Sequence, residues 1–457
     1  MIIQFSVKNY RSFKENATIS FVASNYDKKT NEINNIISLK EFNLRLLKSV
    51  VIYGANASGK SKLLEALMFM RRFVLNSSKD SQKLEPIAVE PFRLNLDTIS
   101  HGSEFEVIFI HNQKQYRYGF EVNNKIIIAE WLFVKNDKNK EIELFYRDLQ
   151  IITSDHVILP KSKILIDENI VRDNALFLSV LAQFNDHLSE SILEWFKNLK
   201  TISGLKEEGY LNDTMKMSKD LNQKERILEF IKKADIDISD FKLKPNNYEE
   251  LSDKINNLKH IDEELRVAVL GLNSYLSRTQ NEENVENYSD VITFHKQYDS
   301  KGKYIGDIEF SLKEDESSGT RKFFAMIGQI IQAIDNGSIL IIDELDSKLH
   351  PNLVCKIISI FNSKKFNPNN SQLIFNTHDT NLLSSGLFRR DQIWFTQKDR
   401  LGGSVLYSLA DFKTDEVRKN EAFEENYIRG KYGAIPFLNG FKTHDNITPN
   451  AEEEDAE

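Results

Sequence analysis

Residues 54–61 carry the clearest chemical signal in this sequence. They read Gly54-Ala-Asn-Ala-Ser-Gly59-Lys60-Ser61, with two glycines around four residues and then a lysine and a serine. Glycines let a loop curl round an anion so that successive backbone N–H groups face a phosphate. The lysine of such a loop reaches the β- and γ-phosphates, and the serine hydroxyl binds Mg²⁺. This phosphate loop therefore predicts a nucleoside triphosphate site.

A pair of carboxylates ends an apolar run further along the chain. Residues 339–342 are Ile-Leu-Ile-Ile, and Asp343 and Glu344 follow directly. Ligands of open α/β sheets bind at the carboxyl ends of the strands. We predict that Asp343 holds the metal and that Glu344 polarises the attacking water. Such a run is also a common strand end, and its pairing with the phosphate loop favours the catalytic interpretation.

Two further segments could contact phosphate. Ser317, Ser318 and Gly319 precede a helical pattern, so their hydroxyl and N–H groups could form a second anion site, or simply an N-cap. Because the phosphate loop already accounts for one nucleotide, the second site suggests binding to the γ-phosphate of a neighbouring subunit. His378 follows an apolar strand, where a neutral imidazole could contact water or phosphate. The alternative for His378 is an ordinary polar residue.

Strand and helix patterns alternate around these residues. Strands are predicted at 49–53, 338–342 and 372–376, and helical periodicity follows the phosphate loop and covers 321–334. This order predicts an α/β fold with a parallel core. Four alternating segments between residues 105 and 146 predict an antiparallel meander. Helical spacing over about 175–276 predicts a helical lobe.

Composition narrows the class of protein. The chain has 457 residues, one cysteine and a net charge of −8, which falls to −3 without the five acids of residues 450–457. This balance gives no global signature of a nucleic-acid binder, although a local basic patch remains compatible with it. A single cysteine, with no apolar run long enough to span a membrane, predicts a cytoplasmic protein without a membrane partner.

The order of these motifs resembles that of the ATP-binding cassette family, in its soluble branch with the SMC proteins, RecF and the OLD-type ATPases. Residues 9–13, Asn-Tyr-Arg-Ser-Phe, resemble the opening segment of RecF and SMC heads, and residues 347–351 resemble an OLD-type D-loop. Residues 432–436, Tyr-Gly-Ala-Ile-Pro, are similar to the C-terminal motif of AAA-labelled ATPases from phage-defence and abortive-infection operons, such as RloA and AriA of PARIS systems.

This resemblance implies roles for individual residues. Glu344, His378 and Lys60 would be catalytic, Ser61 and Asp343 would hold Mg²⁺, and ATP would be the nucleotide. Residues 347–350 would form the D-loop. The implied nucleotide contacts are Gly54, Asn56, Ala57, Ser58, Gly59, Lys60, Ser61, Lys62, Arg11, Ser317, Ser318 and Gly319.

The resemblance also implies an ATPase head with a mixed, largely parallel sheet, an antiparallel β subdomain and a helical lobe. We expect residues 1–100 and 301–445 to form the two parts of the core. Residues 101–165 would form the meander, 166–300 the helical lobe, and 446–457 a disordered acidic tail.

The functional hypothesis is an ATPase that dimerises around ATP, or forms a higher oligomer, and controls a separately encoded toxin or nuclease in phage defence. An alternative is a DNA-repair ATPase that clamps DNA, and basic clusters such as Arg389-Arg390 are compatible with it. A third interpretation is a scaffold that binds ATP without hydrolysis, but such a scaffold would have no chemical need for Glu344 or His378.

Overall fold

A computed structural model describes most of the chain. The described residues are 1–25, 31–79, 82, 85–135, 140–203, 208–234, 237–245, 267–271, 288–412 and 421–436. The predicted acidic tail lies outside these ranges. Among the helices that they contain, none is both long and apolar enough to cross a membrane.

Eighteen strands occur in the described ranges. In chain order they are β1 Ile2–Lys8, β2 Ala17–Ser20, β3 Ile36–Leu39, β4 Leu44–Leu47, β5 Ser49–Tyr53, β6 Ser103–His111, β7 Lys114–Val122, β8 Ile127–Lys135, β9 Glu141–Asp148, β10 Ile151–Ser154, β11 Leu199–Ser203, β12 Asp240–Pro245, β13 Tyr288–Tyr298, β14 Tyr304–Ser311, β15 Ile339–Asp343, β16 Gln372–Asn376, β17 Ile393–Lys398 and β18 Ser404–Ser408.

The helices lie between and after these strands. They are α1 Glu32–Asn35, α2 Lys60–Asn76, α3 Leu96–Ser100, α4 Ser162–Asp167, α5 Phe177–Gln183, α6 His187–Lys197, α7 Glu208–Met217, α8 Leu221–Lys233, α9 Ser318–Asn336, α10 Pro351–Asn362, α11 Asn381–Ser384 and α12 Phe423–Ile428.

A six-stranded sheet forms the centre of the fold, in the order β11-β15-β16-β5-β17-β18. The first five strands run parallel, and β18 pairs antiparallel with β17. Every residue of β5 and β16 is buried, as expected for apolar strands covered on both faces. Because β5, β15 and β16 are parallel neighbours, their carboxyl ends lie at one edge of the sheet.

Two long helices follow from clear sequence signals. Helix α9 begins after Ser317, whose side chain accepts a hydrogen bond from the Thr320 N–H, and ends at Gly337 with φ +62°. Helix α2 begins at Lys60, within the last two residues of the phosphate loop, and buries Leu63, Leu67 and Met70. It packs against β15 of the parallel sheet and against β1 and β6 of a second sheet. Helix α2 therefore lies between the two sheets.

That second sheet has seven antiparallel strands in the order β10-β9-β8-β7-β6-β1-β2. The four predicted meander segments are confirmed as β6 to β9. The N-terminal strands β1 and β2 belong to this sheet and not to the parallel core. The α/β class with a mixed core and an antiparallel subdomain is confirmed.

The region predicted as a helical lobe, 166–300, also contains strands. Strand β11 joins the parallel sheet beside β15, and β12 and β13 form a three-stranded antiparallel sheet with β14. The predicted boundary at 300/301 falls within the β13–β14 hairpin. Strands β11 and β12 are short and depend on pairing with distant segments, so the helical periodicity of their neighbours concealed them.

Candidate functional site

The phosphate loop is shaped by close packing against β17 and β18. A Cβ atom at Gly54, where φ is +153°, would lie 2.4 Å from the Thr396 carbonyl oxygen. At Gly59, where φ is +116°, it would lie 2.4 Å from the Ser404 Oγ. Ser58 is buried, and its hydroxyl lies 2.7 Å from that of Thr396. Both glycines are thus required by backbone conformation and by space.

Lys60 is buried inside the curl of this loop. Its Nζ donates to the carbonyl oxygens of Gly54 at 2.8 Å and Ala55 at 3.1 Å. Burial lowers the pKa of Lys60, and the negative charges of Glu344, Asp346 and Asp343 oppose that shift. The three carboxylates therefore lie close enough to the loop to stabilise its positive charge.

Ser61, Asp343 and Asn376 meet at the carboxyl ends of the central strands. The Ser61 hydroxyl donates to Asp343 Oδ1 at 2.8 Å, and the Asn376 amide donates to the same oxygen at 2.5 Å. A serine hydroxyl beside a carboxylate is a set of hard oxygen ligands that suits Mg²⁺. The residues predicted to hold the metal are therefore together.

Asn376 is a component of the site that the sequence analysis missed. It is fully buried, and its Oδ1 accepts the backbone N–H of Glu344 at 2.5 Å, so one side chain orients both carboxylate-bearing residues. The available signal was its place at the end of the predicted strand 372–376, which follows the strand of Asp343 in the chain. A polar residue at that point faces the ligand edge of the sheet.

His378 lies at the same edge and is exposed to an incoming ligand. Its backbone N–H donates to Asp346 Oδ2 at 3.2 Å. Partial desolvation of the ring and the positive charge of Lys60 lower the pKa of His378, while Asp346, Glu344 and Asp343 act in the opposite direction. The imidazole of His378 therefore adjoins Lys60 and the predicted catalytic carboxylates.

Ser317, Ser318 and Gly319 line a different concavity. It is a groove of about 730 Å³ between the start of α9, residues 348–356 and the end of α8. The described residues that line it include none from the phosphate loop. The basic side chains along this groove are Lys233, Lys348, His350 and Lys356.

Lys62 lies in the first turn of α2 and Arg11 lies beside it, and both pair with Glu65. Arg11 also contacts Glu90 at 3.3 Å. Asn56 and Ala57 form the exposed top of the phosphate loop, with Ala57 in the left-handed region at φ +61°. A nucleotide contact by Arg11 stays a prediction, and it would require this cation to share its carboxylate partners with the ligand.

We predict that Asn376→Ala lowers ATP turnover by about 10- to 100-fold, the usual cost of losing a side chain that orients metal ligands. Nucleotide binding to the phosphate loop should persist, because Lys60 and the loop backbone are unchanged. Turnover measured against Mg²⁺ concentration tests this expectation. Asn362→Ala is the matched control, since Asn362 is also a buried asparagine and bonds Ser49 at the amino end of β5. Equal turnover in the two variants would contradict the proposed role of Asn376.

A second prediction concerns His378. Replacing Lys60 with Met removes a neighbouring positive charge, so the pKa of the His378 imidazole should rise towards its ordinary value. Histidine NMR titration measures this pKa, with His378→Gln used to assign the signal. Lys62→Met is the control, because Lys62 pairs with Glu65 on the outside of α2. An unchanged pKa in Lys60→Met would show that Lys60 and His378 do not share one site.

Comparisons with known proteins place this geometry in a family. Among solved structures, the SMC head domain from Thermotoga maritima shares 11% identity with a TM-score of 0.40, over 89% of this chain and 98% of that one. The recombination mediator protein RecF with ATP shares 15% identity with a TM-score of 0.34, over 89% and 97%. No curated protein matches the chain. The family described as "AAA domain, putative AbiEii toxin, Type IV TA system" matches residues 49–384, which span the phosphate loop, Ser317 to Gly319, the carboxylate pair and His378. The chain belongs to this family.

Proposed function

We propose that this protein is an ATPase that dimerises with ATP held between the phosphate loop of one subunit and Ser317 to Gly319 of the other. The observation that carries the proposal is the separation of two anion-binding elements within one chain. The phosphate loop adjoins the carboxylate pair and His378, whereas residues 317–319 line a groove of their own. In a two-fold dimer each groove would cover the phosphate loop of the other subunit, and two complete sites would result.

The charges support this arrangement. Three lysines, at positions 233, 348 and 356, line the groove together with His350, beside the N-terminus of α9. Lysine side chains and a helix N-terminus both attract a phosphate. The γ-phosphate of a nucleotide held by a second subunit is the matching anion.

Within each site the residues would have distinct tasks. The loop N–H groups and Lys60 bind the β- and γ-phosphates. Ser61 and Asp343 would hold Mg²⁺, which neutralises charge on those phosphates when it is bound. Glu344 accepts a proton from the attacking water, and the imidazole of His378 contacts the γ-phosphate. Dimer closure would complete the site, so ATP hydrolysis would limit the lifetime of the assembly.

For its biological role, we propose a sensor ATPase that holds or releases a separately encoded effector in bacterial phage defence. The family description names a putative toxin and a Type IV TA system, and this supports a role in such a system. The resemblance of residues 432–436 to defence ATPases supports it as well. The alternative role is that of an ATPase that clamps DNA.

Glu344→Gln should bind Mg-ATP and slow its hydrolysis at least about 100-fold, because a general base is lost. The variant should therefore accumulate as an ATP-dependent dimer, and mass measurement in solution tests this. Lys60→Ala should abolish ATP binding. Adding Ser318→Arg to Glu344→Gln should preserve binding but prevent dimerisation.

The same mass measurement, made with the product of the neighbouring gene, tests the biological role. An ATP-dependent complex that contains this product supports effector control. A partner-free dimer that retains duplex DNA in a salt-sensitive way would contradict it and favour the DNA clamp. A Glu344→Gln protein that binds ATP and stays monomeric would contradict the dimer itself.

A further inference from the structure

Lys322 is a fully buried cation to which the mechanism above assigns no role. It lies in α9, three residues after Gly319 in the chain. Burying an ammonium group is costly unless its donors are satisfied. Its surroundings should therefore explain its presence.

The Lys322 ammonium donates to three backbone carbonyl groups of one loop. The acceptors are the carbonyl oxygens of Glu344 at 3.2 Å, Leu345 at 3.1 Å and Ser347 at 2.5 Å. An ammonium has three N–H donors, and three carbonyl oxygens of the segment 344–347 lie within reach of them. Lys322 thus attaches α9 to the segment that begins with the predicted general base.

This segment has a backbone that needs support. Glu344 and Lys348 adopt left-handed conformations, with φ of +56° and +61°. Residues other than glycine rarely adopt such angles unless their surroundings hold them there. The carbonyl groups that accept from Lys322 extend from Glu344 to Ser347, the residue before Lys348.

A second contact joins the same two elements. A Cβ atom at Gly319 would lie 2.7 Å from the Lys348 carbonyl oxygen, so α9 approaches the segment closely at Gly319 as well as at Lys322. A shift of the α9 N-terminus would therefore move the Glu344 backbone, and the reverse also holds.

We propose that Lys322 is a positioning residue that couples the two ATP sites of the dimer. The inference rests on the proposed function, in which residues 317–319 contact the partner's ATP and Glu344 acts on the chain's own ATP. Lys322 links these two groups inside one subunit. Lys322 therefore couples the positions of these two groups, so its loss should disturb Glu344 in the chain's own site and residues 317–319 in the partner's site.

A subunit-mixing experiment tests this coupling. A Lys60→Ala subunit mixed with a Ser318→Arg subunit forms a reference dimer with one intact site, while neither protein alone has one. In that site the Ser318→Arg subunit supplies Glu344 and the Lys60→Ala subunit supplies residues 317–319. Lys322→Met, which keeps a long apolar side chain, is then added to one subunit or to the other.

Coupling predicts that Lys322→Met lowers the turnover of the intact site by about tenfold in either subunit, within the range of energies through which distant sites are coupled. ATP affinity at the intact phosphate loop should change by less than about threefold, because the loop N–H groups and Lys60 of that site are unchanged. A loss confined to the subunit that supplies Glu344 would overturn the proposal, since Lys322 would then support only its own general base. A loss confined to the other subunit, or in neither, would also overturn it.

Two controls keep the result interpretable. If the reference mixture itself is inactive, the proposed dimer fails, whatever Lys322 does. Thermal unfolding and ADP binding check that each Lys322→Met subunit is folded. Gly319→Ala provides a second route, because its methyl group would push on the Lys348 carbonyl while Lys322 stays intact. In the Ser318→Arg subunit, whose residues 317–319 do not contact the intact site, it should lower turnover as Lys322→Met does, and normal turnover there would also overturn the proposal.

Discussion

The hydrogen bonds that converge on one oxygen of Asp343 are the interaction on which the rest of the site depends. Ser61 and Asn376 both donate to Asp343 Oδ1, and they come from the helix after β5 and from the end of β16. Ser61 and Asp343 are 282 residues apart in the chain, and they meet because β15, β16 and β5 are adjacent parallel strands. The register of the sheet therefore sets the position of the predicted metal ligands.

The same arrangement concentrates charge. Asp343, Glu344 and Asp346 approach Lys60, whose ammonium is buried in the phosphate loop. Negative charges brought together in a partly buried site repel one another unless cations offset them. Lys60 supplies one such cation, and the bound metal would supply another. Lys322 contributes differently, since it donates to the backbone carbonyl group of Glu344.

Motifs with a local mechanism were predictable from the sequence. The phosphate loop needs only glycines, a lysine and a serine at fixed spacing, and the apolar run before Asp343 marks a buried parallel strand. Asn376 and Lys322 were not predicted, because their roles depend on which strands are neighbours and which carbonyl groups a buried ammonium reaches. The placement of β1 and β11 likewise follows from long-range pairing, which no local pattern encodes.

The central claim is that one subunit's phosphate loop faces Ser318 of another. Cross-linking tests it directly in a Cys355→Ser, Glu344→Gln background, with Asn56→Cys on one protein and Ser318→Cys on the other. Asn56 and Ser318 are both exposed. A short bismaleimide should join the two proteins only when they are mixed and only with Mg-ATP. Absence of that cross-link, although both cysteines react with a monofunctional maleimide and ATP is bound, would contradict the composite site.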